Sequence, residues 1–457
     1  MRSVKCPGPV GGTVLTPVEE LLCGNGALPE PPIGMALLFE GRPPRLDELR
    51  GRVADRWGGT PLLSRTLLRP PPPTWTRRHR WSPAAAFDVR AQVVETRVEV
   101  SLADADGTAF TDLLGRLVAE PVPHGLPPWR LHLVHAGREH APREAFALVL
   151  TTHHSLMDGR SLERLLSGLL DGATGRDGAY AGARSVRTPQ AAGPVREAPA
   201  RWVKRTGRVL DSVRPGRALP LDAGPPRAQR DLAWVDLDAD AVRAARRALP
   251  GLGATLNEVL LACSAGALRA VHGAPDTWPG PSRPLFGIFS VDLRTPERSE
   301  ELGNIVSVVR LPLPVAADGP RERLRACRAT LSGSGPVYGA STATRLISAA
   351  SALGPWALRL LVMESRRPRW APVTCIAIKW PRGARSLDGA PLTRVIPLPQ
   401  VPIPGTVTLA LVDFARTFTL CVVGHTPAGH AQNLADAFGR ELAALGNHDP
   451  QLTLAAR

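Results

Sequence analysis

The sequence predicts an α/β (α+β) chain of two lobes, each a mixed sheet carrying helices, and three observations predict it. The 457 residues are 44% hydrophobic and 21% charged, an ordinary globular composition, with chain enough for several domains at about 100–200 residues each. Strand-period and helix-period segments interleave in both halves of the chain. Between the halves, residues 172–230 hold twelve basic against four acidic residues, are rich in glycine and proline and keep no clear period. That composition marks an exposed connector. The chain therefore divides into residues 1–171, a basic connector over 172–230, and residues 231–457.

In the first half, Met35–Glu40 reads as a strand, and Leu46–Trp57 as an amphipathic helix with Leu46, Leu49 and Val53 on one face. Pro70–Pro73 interrupts as a polyproline turn. Gln92–Val100 alternates as a strand, Thr108–Ala119 is helical, and Arg130–His135 and Phe146–Thr152 are strands. Ser161–Leu170 is helical, with Leu162, Leu165, Leu166 and Leu169 on one face. The connector has room for one short helix at Trp202–Val213. The second half opens with a strand at Leu232–Leu237 and a helix at Ala239–Leu249. Thr255 and Glu258 form a capping box for a helix that buries Leu256, Val259, Leu260, Cys263 and Leu268. Leu285–Leu293 and Ile305–Leu311 are strands. Thr406–Asp413 and Phe418–Gly424 form a hairpin, and a last helix, Ala431–Leu445, ends at Gly446. The amphipathic stretch Ala343–Met363 carries Leu346, Ile347, Leu353, Trp356, Leu360 and Leu361. It reads either as a core helix broken at Gly354-Pro355 or as a face that meets a membrane.

Net charge is +15, from three lysines and fifty-three arginines against 41 acidic residues. Such a surface attracts phosphates and acidic headgroups. Aromatics are only 5% and the arginines are dispersed, which argues against nucleic acid as partner. The six cysteines are widely spaced with no CxxC pair, so neither structural zinc nor a disulfide framework is expected, which fits a cytoplasmic protein. No 18-residue apolar run is free of charge, so no membrane span is expected, and the N-terminus lacks a signal-peptide core. There is no GKS or GKT phosphate loop, no complete dinucleotide loop around Gly251 and Gly253, and no G-x-S-x-G elbow.

The chemistry concentrates in Phe146–Gly159, where an apolar strand runs into His153-His154-Ser155-Leu156-Met157-Asp158-Gly159. A histidine at a strand end before a tight turn is held rigidly and reaches a cleft, as a general base must. Asp158 is placed to pair with a ring nitrogen or a buried arginine, or to cap the following helix. Gly159 is expected to supply a backbone angle other residues resist. His153 has a plain alternative as a core histidine bonded to a carbonyl. A metal site is disfavoured, because adjacent strand residues point to opposite faces and no further ligand cluster stands nearby.

These seven residues match the HHxxxDG motif of the CoA-dependent acyltransferase superfamily, which includes chloramphenicol acetyltransferase, carnitine acyltransferases and the condensation domains of nonribosomal peptide synthetases. The rest of the chain resembles the bacterial wax ester synthase/diacylglycerol acyltransferase family. Pro128-Trp129-Arg130 resembles its PLW segment, and Gly253-Ala254-Thr255-Leu256-Asn257-Glu258 its G-A-T-x-N-D segment, with glutamate for the usual aspartate. Val291–Arg294 and Leu302-Gly303-Asn304 resemble its strand and LGN region, and the order agrees over Met35–Leu445. The resemblance implies two chloramphenicol-acetyltransferase-like lobes separated by a tunnel. It implies acyl-CoA as co-substrate with no permanently bound cofactor, and direct attack by an alcohol deprotonated by His154. It makes Arg294 the partner of Asp158, and Asn257 a second site candidate. Residues 374–383 lack the family's N-x-P-G-P loop. That leaves open a specialised-metabolism or condensation-type enzyme forming an ester or amide from a CoA or carrier-protein thioester. Expected partners are thus an acyl thioester, an alcohol or amine, and, peripherally, an anionic membrane.

Overall fold

The computed structural model describes residues 12–23, 30–70, 76–83, 87–99, 102, 108–122, 125–136, 145–172, 214–221, 224, 227, 229–334, 336–401, 403–415 and 417–447. Pro71–Pro73 and the short helix expected at Trp202–Val213 lie outside them. The first half runs α1 (Pro17–Leu22), β1 (Ile33–Glu40), α2 (Leu46–Trp57), β2 (Val93–Val98), α3 (Thr108–Leu117), β3 (Trp129–Ala136), β4 (Ala145–Thr152) and α4 (Gly159–Leu169). The second half opens with β5 (Asp231–Asp238), α5 (Ala239–Arg247), α6 (Leu256–His272), β6 (Phe286–Asp292) and β7 (Val306–Pro312). It continues through α7 (Pro320–Ser334), α8 (Pro336–Leu353), α9 (Pro355–Ser365), β8 (Val373–Lys379), β9 (Ser386–Leu387) and β10 (Ala390–Leu398). It closes with β11 (Val407–Phe414), β12 (Thr417–Gly424) and α10 (His430–Gly446).

Two six-stranded mixed sheets result, ordered β9-β10-β1-β4-β3-β2 and β7-β6-β8-β11-β12-β5. The first sheet is corrected against expectation in one respect. Strands β9 and β10 come from the C-terminal half but belong to the N-terminal sheet, where β10 pairs antiparallel with β1. Dividing the chain at residue 231 therefore does not divide the sheets. The crossover is fastened by Arg52, which bonds Asp171 at 2.6 Å and also meets Asp388.

β4 is central and covered on both faces, which is why its sequence is a continuous apolar run rather than an alternation. One face packs with α2 and α4, where Phe39 and Phe146 stack at 4.8 Å between ring centroids. The other face, through Ala36, Val134, Val149 and Ile396, meets Trp234, Cys421 and Val423 of the second sheet in an apolar core shared by the lobes. Helix α4 is held by Leu162, Leu165, Leu166 and Leu169, each no more than 1% exposed. Each such burial stabilises by about 1.5–3 kcal/mol, so the turn between β4 and α4 stands on two fixed supports. Helices α5, α6, α7 and α10 cover one face of the second sheet. Its other face is divided between the core shared with the first sheet and, beyond that, a cavity covered by α8 and α9.

Candidate active site

The β4–α4 turn is built from both ends. Pro128 O accepts from His153 N at 2.8 Å and from Thr152 Oγ1 at 3.0 Å, so the Pro128-Trp129 segment holds the strand end just before the two histidines. Trp129 is buried and donates Nε1 to Leu63 O at 2.9 Å, which fixes that segment in turn. Leu156 N closes the turn onto His153 O at 2.9 Å. Asp158 caps α4, its Oδ1 accepting from Ser161 N at 2.8 Å.

Asp158 does not contact a histidine ring; it pairs with Arg294. The guanidinium donates Nη1 to Oδ2 at 2.9 Å and Nη2 to Oδ1 at 3.1 Å, and both side chains are at most 5% exposed. Ile305 N donates to the same Oδ2 at 2.9 Å. Burial works against the Arg294 charge, but the Asp158 and Asp292 carboxylates outweigh it and raise the arginine's pKa. Arg294 also reaches Ser161 Oγ at 2.9 Å and Glu301 O at 2.9 Å. Residues 302–305 complete the clamp: Gly303, at φ +123°, offers its carbonyl to Asp158 N and Ser161 Oγ. One buried, fully bonded carboxylate therefore ties the turn of one lobe to a loop of the other.

The histidines face opposite ways. His153 is buried, with Nδ1 2.7 Å from Ser155 Oγ. Burial, with smaller contributions from the charges of His154 and Arg69, pushes its pKa down to about 3. His154 is only half-buried and lines a cavity of about 790 Å³ between the second sheet, α1, α8 and α9. Its Nδ1 is buried, the His154 and Met157 carbonyls and the Asn304 side chain lie against the ring, and the ring lines the cavity. Burial lowers the His154 pKa; the carbonyls of His154 and Met157, the Asp158 charge and the Asn304 side chain act against it. At neutral pH the ring is therefore neutral, as a base requires.

The cavity floor is a trough on the sheet. Thr374, Ile376 and Ile378 alternate onto it from β8, and Thr408 and Ala410 of β11 stand opposite Thr374 and Ile376. Ile378 lies at the His154 end, beside Gly159. At about 3.3 Å per residue, the trough runs ~13 Å from there to Thr374. Its mouth is rimmed by Leu353, Trp356 and Leu360, exposed by 67%, 49% and 50%. Arg366 pairs with Glu30 at 2.8 and 2.7 Å, and Arg359 Nη2 donates to Arg77 O at 2.8 Å, so α9 is tied to the first lobe beside that mouth.

One expectation is corrected, and one candidate stands away from the cavity. Gly159 has no left-handed backbone; an added Cβ would meet Ile378 Cδ1 at 3.8 Å, an ordinary contact. What its missing side chain provides is space beside His154. Asn257 sits half-buried in the first turn of α6, behind the Thr255–Glu258 capping box, and is not among the residues lining the cavity. The polar side chain that does approach His154 is Asn304, present in the sequence within Leu302-Gly303-Asn304.

Comparison with known proteins agrees with this geometry. Residues 39–223 match the wax ester synthase/diacylglycerol acyltransferase catalytic domain, and residues 302–446 the C-terminal domain of the same family. A putative diacylglycerol O-acyltransferase of Mycobacterium tuberculosis is 28% identical over 240 residues, 49% of this chain and 51% of that protein. The chain thus spans about half the length of the curated relatives it first matches. A putative diacylglycerol O-acyltransferase of Mycobacterium bovis is 25% identical over 376 residues, 75% of this chain and 70% of that one. Among solved structures, the wax ester synthase/diacylglycerol acyltransferase from Marinobacter aquaeolei VT8 superposes with a TM-score of 0.63 at 18% identity, covering 95% of this chain and 98% of that one. The first condensation domain of the CDA synthetase superposes with a TM-score of 0.63 at 17% identity, covering 95% and 96%. At these identities the structural likeness establishes the fold.

Proposed function

Because the chain belongs to the wax ester synthase/diacylglycerol acyltransferase family, we propose that it moves an acyl group from acyl-CoA to the hydroxyl of an apolar alcohol. The observation that carries this reading is His154 lining a long apolar cavity at the junction of the lobes. In the reaction, Nε2 takes the hydroxyl proton as the alcohol oxygen attacks the thioester carbonyl carbon. The C–S bond then breaks, and the imidazolium returns its proton to the departing thiolate. Ester and free thiol are the products, and no acyl-enzyme forms. Bringing both substrates to one imidazole makes the attack effectively unimolecular. Asp158 and Arg294 fix the turn and take no proton. The trough from Ile378 to Thr374 receives an alkyl chain, its small Ala410 and Thr408 side chains leaving the width.

The acceptor comes from an anionic lipid surface in the same reading. Leu353, Trp356 and Leu360 stand exposed at the cavity mouth, with Met363 exposed on the same helix and Arg345 and Arg369 exposed beside lining residues. No helix among the described residues is long and apolar enough to cross a membrane, so the contact is peripheral. A cytoplasmic location fits the free, buried state of the five cysteines among the described residues. The polar row Thr374–Thr408 at the far end of the trough favours one second reading, an acceptor with polar groups of its own, joined as ester or amide. Competition between acyl-CoA and an acyl carrier protein as donors, scored by product mass across alcohols and amines, separates the two. Turnover of long-chain alcohol with acyl-CoA alone supports the first; turnover only with the carrier thioester or an amine replaces it with the second.

A further inference from the structure

The cavity wall is mostly apolar, and the hydroxyls set into it are not equivalent. Seven serines and threonines line it, and five of them are hydrogen-bonded within the protein. Thr330, Ser365, Thr406 and Thr408 donate to main-chain carbonyls, and Ser307 pairs with Thr344 Oγ1. The other two, Ser290 of β6 and Thr374 of β8, have no hydrogen-bond partner among the described residues. Both stand on the floor of the trough. Thr374 lies opposite Ile288 in the parallel pairing of β8 with β6, which sets Ser290 level with Ile376. Ser290 is therefore about 7 Å, and Thr374 about 13 Å, along the trough from Ile378 at the His154 end. The covering helix supplies no partner, because every α8 residue that lines the cavity is alanine, leucine or isoleucine. Packing does not call for the hydroxyl of Thr374 either, since valine has the same shape and suits a strand equally well.

We propose that Ser290 and Thr374 are specificity determinants, and that the chain lying in the trough carries an oxygen function, a hydroxyl or a keto group, in its interior. The proposal rests on the acyl-transfer reading and deepens it, naming an oxygenated long chain rather than a plain hydrocarbon as the substrate class. A saturated chain in the trough would cut both hydroxyls off from water and return no hydrogen bond, which is costly. A site built to hydrogen-bond a substrate group discriminates against the analogue that lacks it for this reason. Serine and threonine hydroxyls both donate and accept, so either kind of oxygen is served. The same chemistry can arrive on the alcohol or on the acyl group.

Two substrate series of one chain length test this. In the first, primary alcohols that are plain, or carry one hydroxyl or keto group at successive interior positions, react with an unsubstituted acyl-CoA. In the second, a plain alcohol reacts with the corresponding acyl-CoA series. In the wild type, kcat/KM should peak over one span of positions in one series, about ten- to a hundredfold above the plain chain. The series that shows the peak identifies the substrate in the trough. Thr374→Val and Ser290→Ala should each flatten the peak, lowering kcat/KM for the oxygenated chain and raising it for the plain one. A merely structural role would lower both together. No peak in either series, or a peak that survives in both variants, would overturn the proposal. Binding of each alcohol or acyl-CoA alone, followed by tryptophan fluorescence since Trp356 and Trp370 line the cavity, makes the same comparison without turnover. Absence of thiol release from every pair would overturn the acyl-transfer reading instead, and the binding preference of wild type against variants would still decide for or against Ser290 and Thr374.

Discussion

His154 and His153 are neighbours in sequence with opposite surroundings, and substitutions should separate them. His154→Ala should lose about 10²–10⁴-fold in turnover, the usual cost of removing a general base, with the melting temperature little changed. His153→Ala removes a buried ring bonded to Ser155, so its main effect should be on stability. Equal losses of turnover in both would contradict the assignment. Because burial lowers the His154 pKa, kcat/KM should rise with pH along a limb centred below the ordinary histidine value of 6.5. Asp158→Ala and Arg294→Ala should each destabilise by about 3–5 kcal/mol, since each leaves a buried charge unpaired. A double-mutant cycle should show them strongly non-additive; additive losses would mean the pair is not what holds the turn. At this scale the sequence was legible where a local motif names the chemistry, as at His154 and Asp158. Arg294 lies 136 residues from Asp158 and was reached only through family resemblance. Asn257 lies outside the cavity lining, and a polar residue at a helix start looks alike in sequence whether it faces a site or a neighbouring turn. Gly159 departs from expectation because a glycine that leaves space and one that supplies a backbone angle are the same letter.

The elements named from the sequence keep their bounds to within a residue or two: Leu46–Trp57 is unchanged and the strand expected at Phe418–Gly424 begins at Thr417, whereas the helix Pro320–Ser334 and the strands Val373–Lys379 and Ala390–Leu398 were not anticipated. Strand partnership was not legible. Nothing in Ala390–Leu398 says that it crosses to pair with Ile33–Glu40 rather than with its sequence neighbours, because register is a property of the assembled sheet. The Ala343–Met363 stretch held two readings, and each applies to part of it. The helix does break at Gly354, at φ +120°, and Ile347 is buried, while Leu353, Trp356 and Leu360 stay exposed at the mouth of the cavity. Two substitutions probe these elements. Ala410→Phe should fill the trough about two residues beyond its Ile378 end, abolishing turnover of long-chain substrate and sparing short chains; equal loss for all lengths would place the chain elsewhere. Trp356→Glu with Leu360→Glu should abolish flotation with acidic vesicles at low salt. Wild-type flotation should itself weaken as salt rises, and no wild-type binding at low salt would remove the membrane contact from the account.

On the scale of the whole molecule, the lobes are joined by a shared apolar core, an exchanged strand pair and ion pairs that include the buried Asp158–Arg294 and Glu30–Arg366, so the chain should unfold as a unit. Its pH dependence follows from its buried histidines. His132, His272, His425 and His430 have pKa values lowered to about 4 and His153 to about 3, chiefly by burial. Between 6.5 and those values the unfolded chain binds protons that the folded chain does not. Stability from these groups is therefore complete above pH 6.5 and is lost as pH falls toward 4. Thermal melts between pH 7.5 and 4.5 should show the midpoint flat at first and then falling; a rise on acidification would contradict the burial of these rings.

The central claim, direct acyl transfer from thioester to alcohol at His154, is tested most directly by following free thiol and product mass together, with acyl-CoA and a long-chain alcohol, in wild type and His154→Ala. The account predicts one thiol released per ester formed, dependence on both substrates, and loss of about 10²–10⁴-fold in the variant. Thiol release without alcohol at the same rate, free acid as the product, or an undiminished rate in His154→Ala would contradict it.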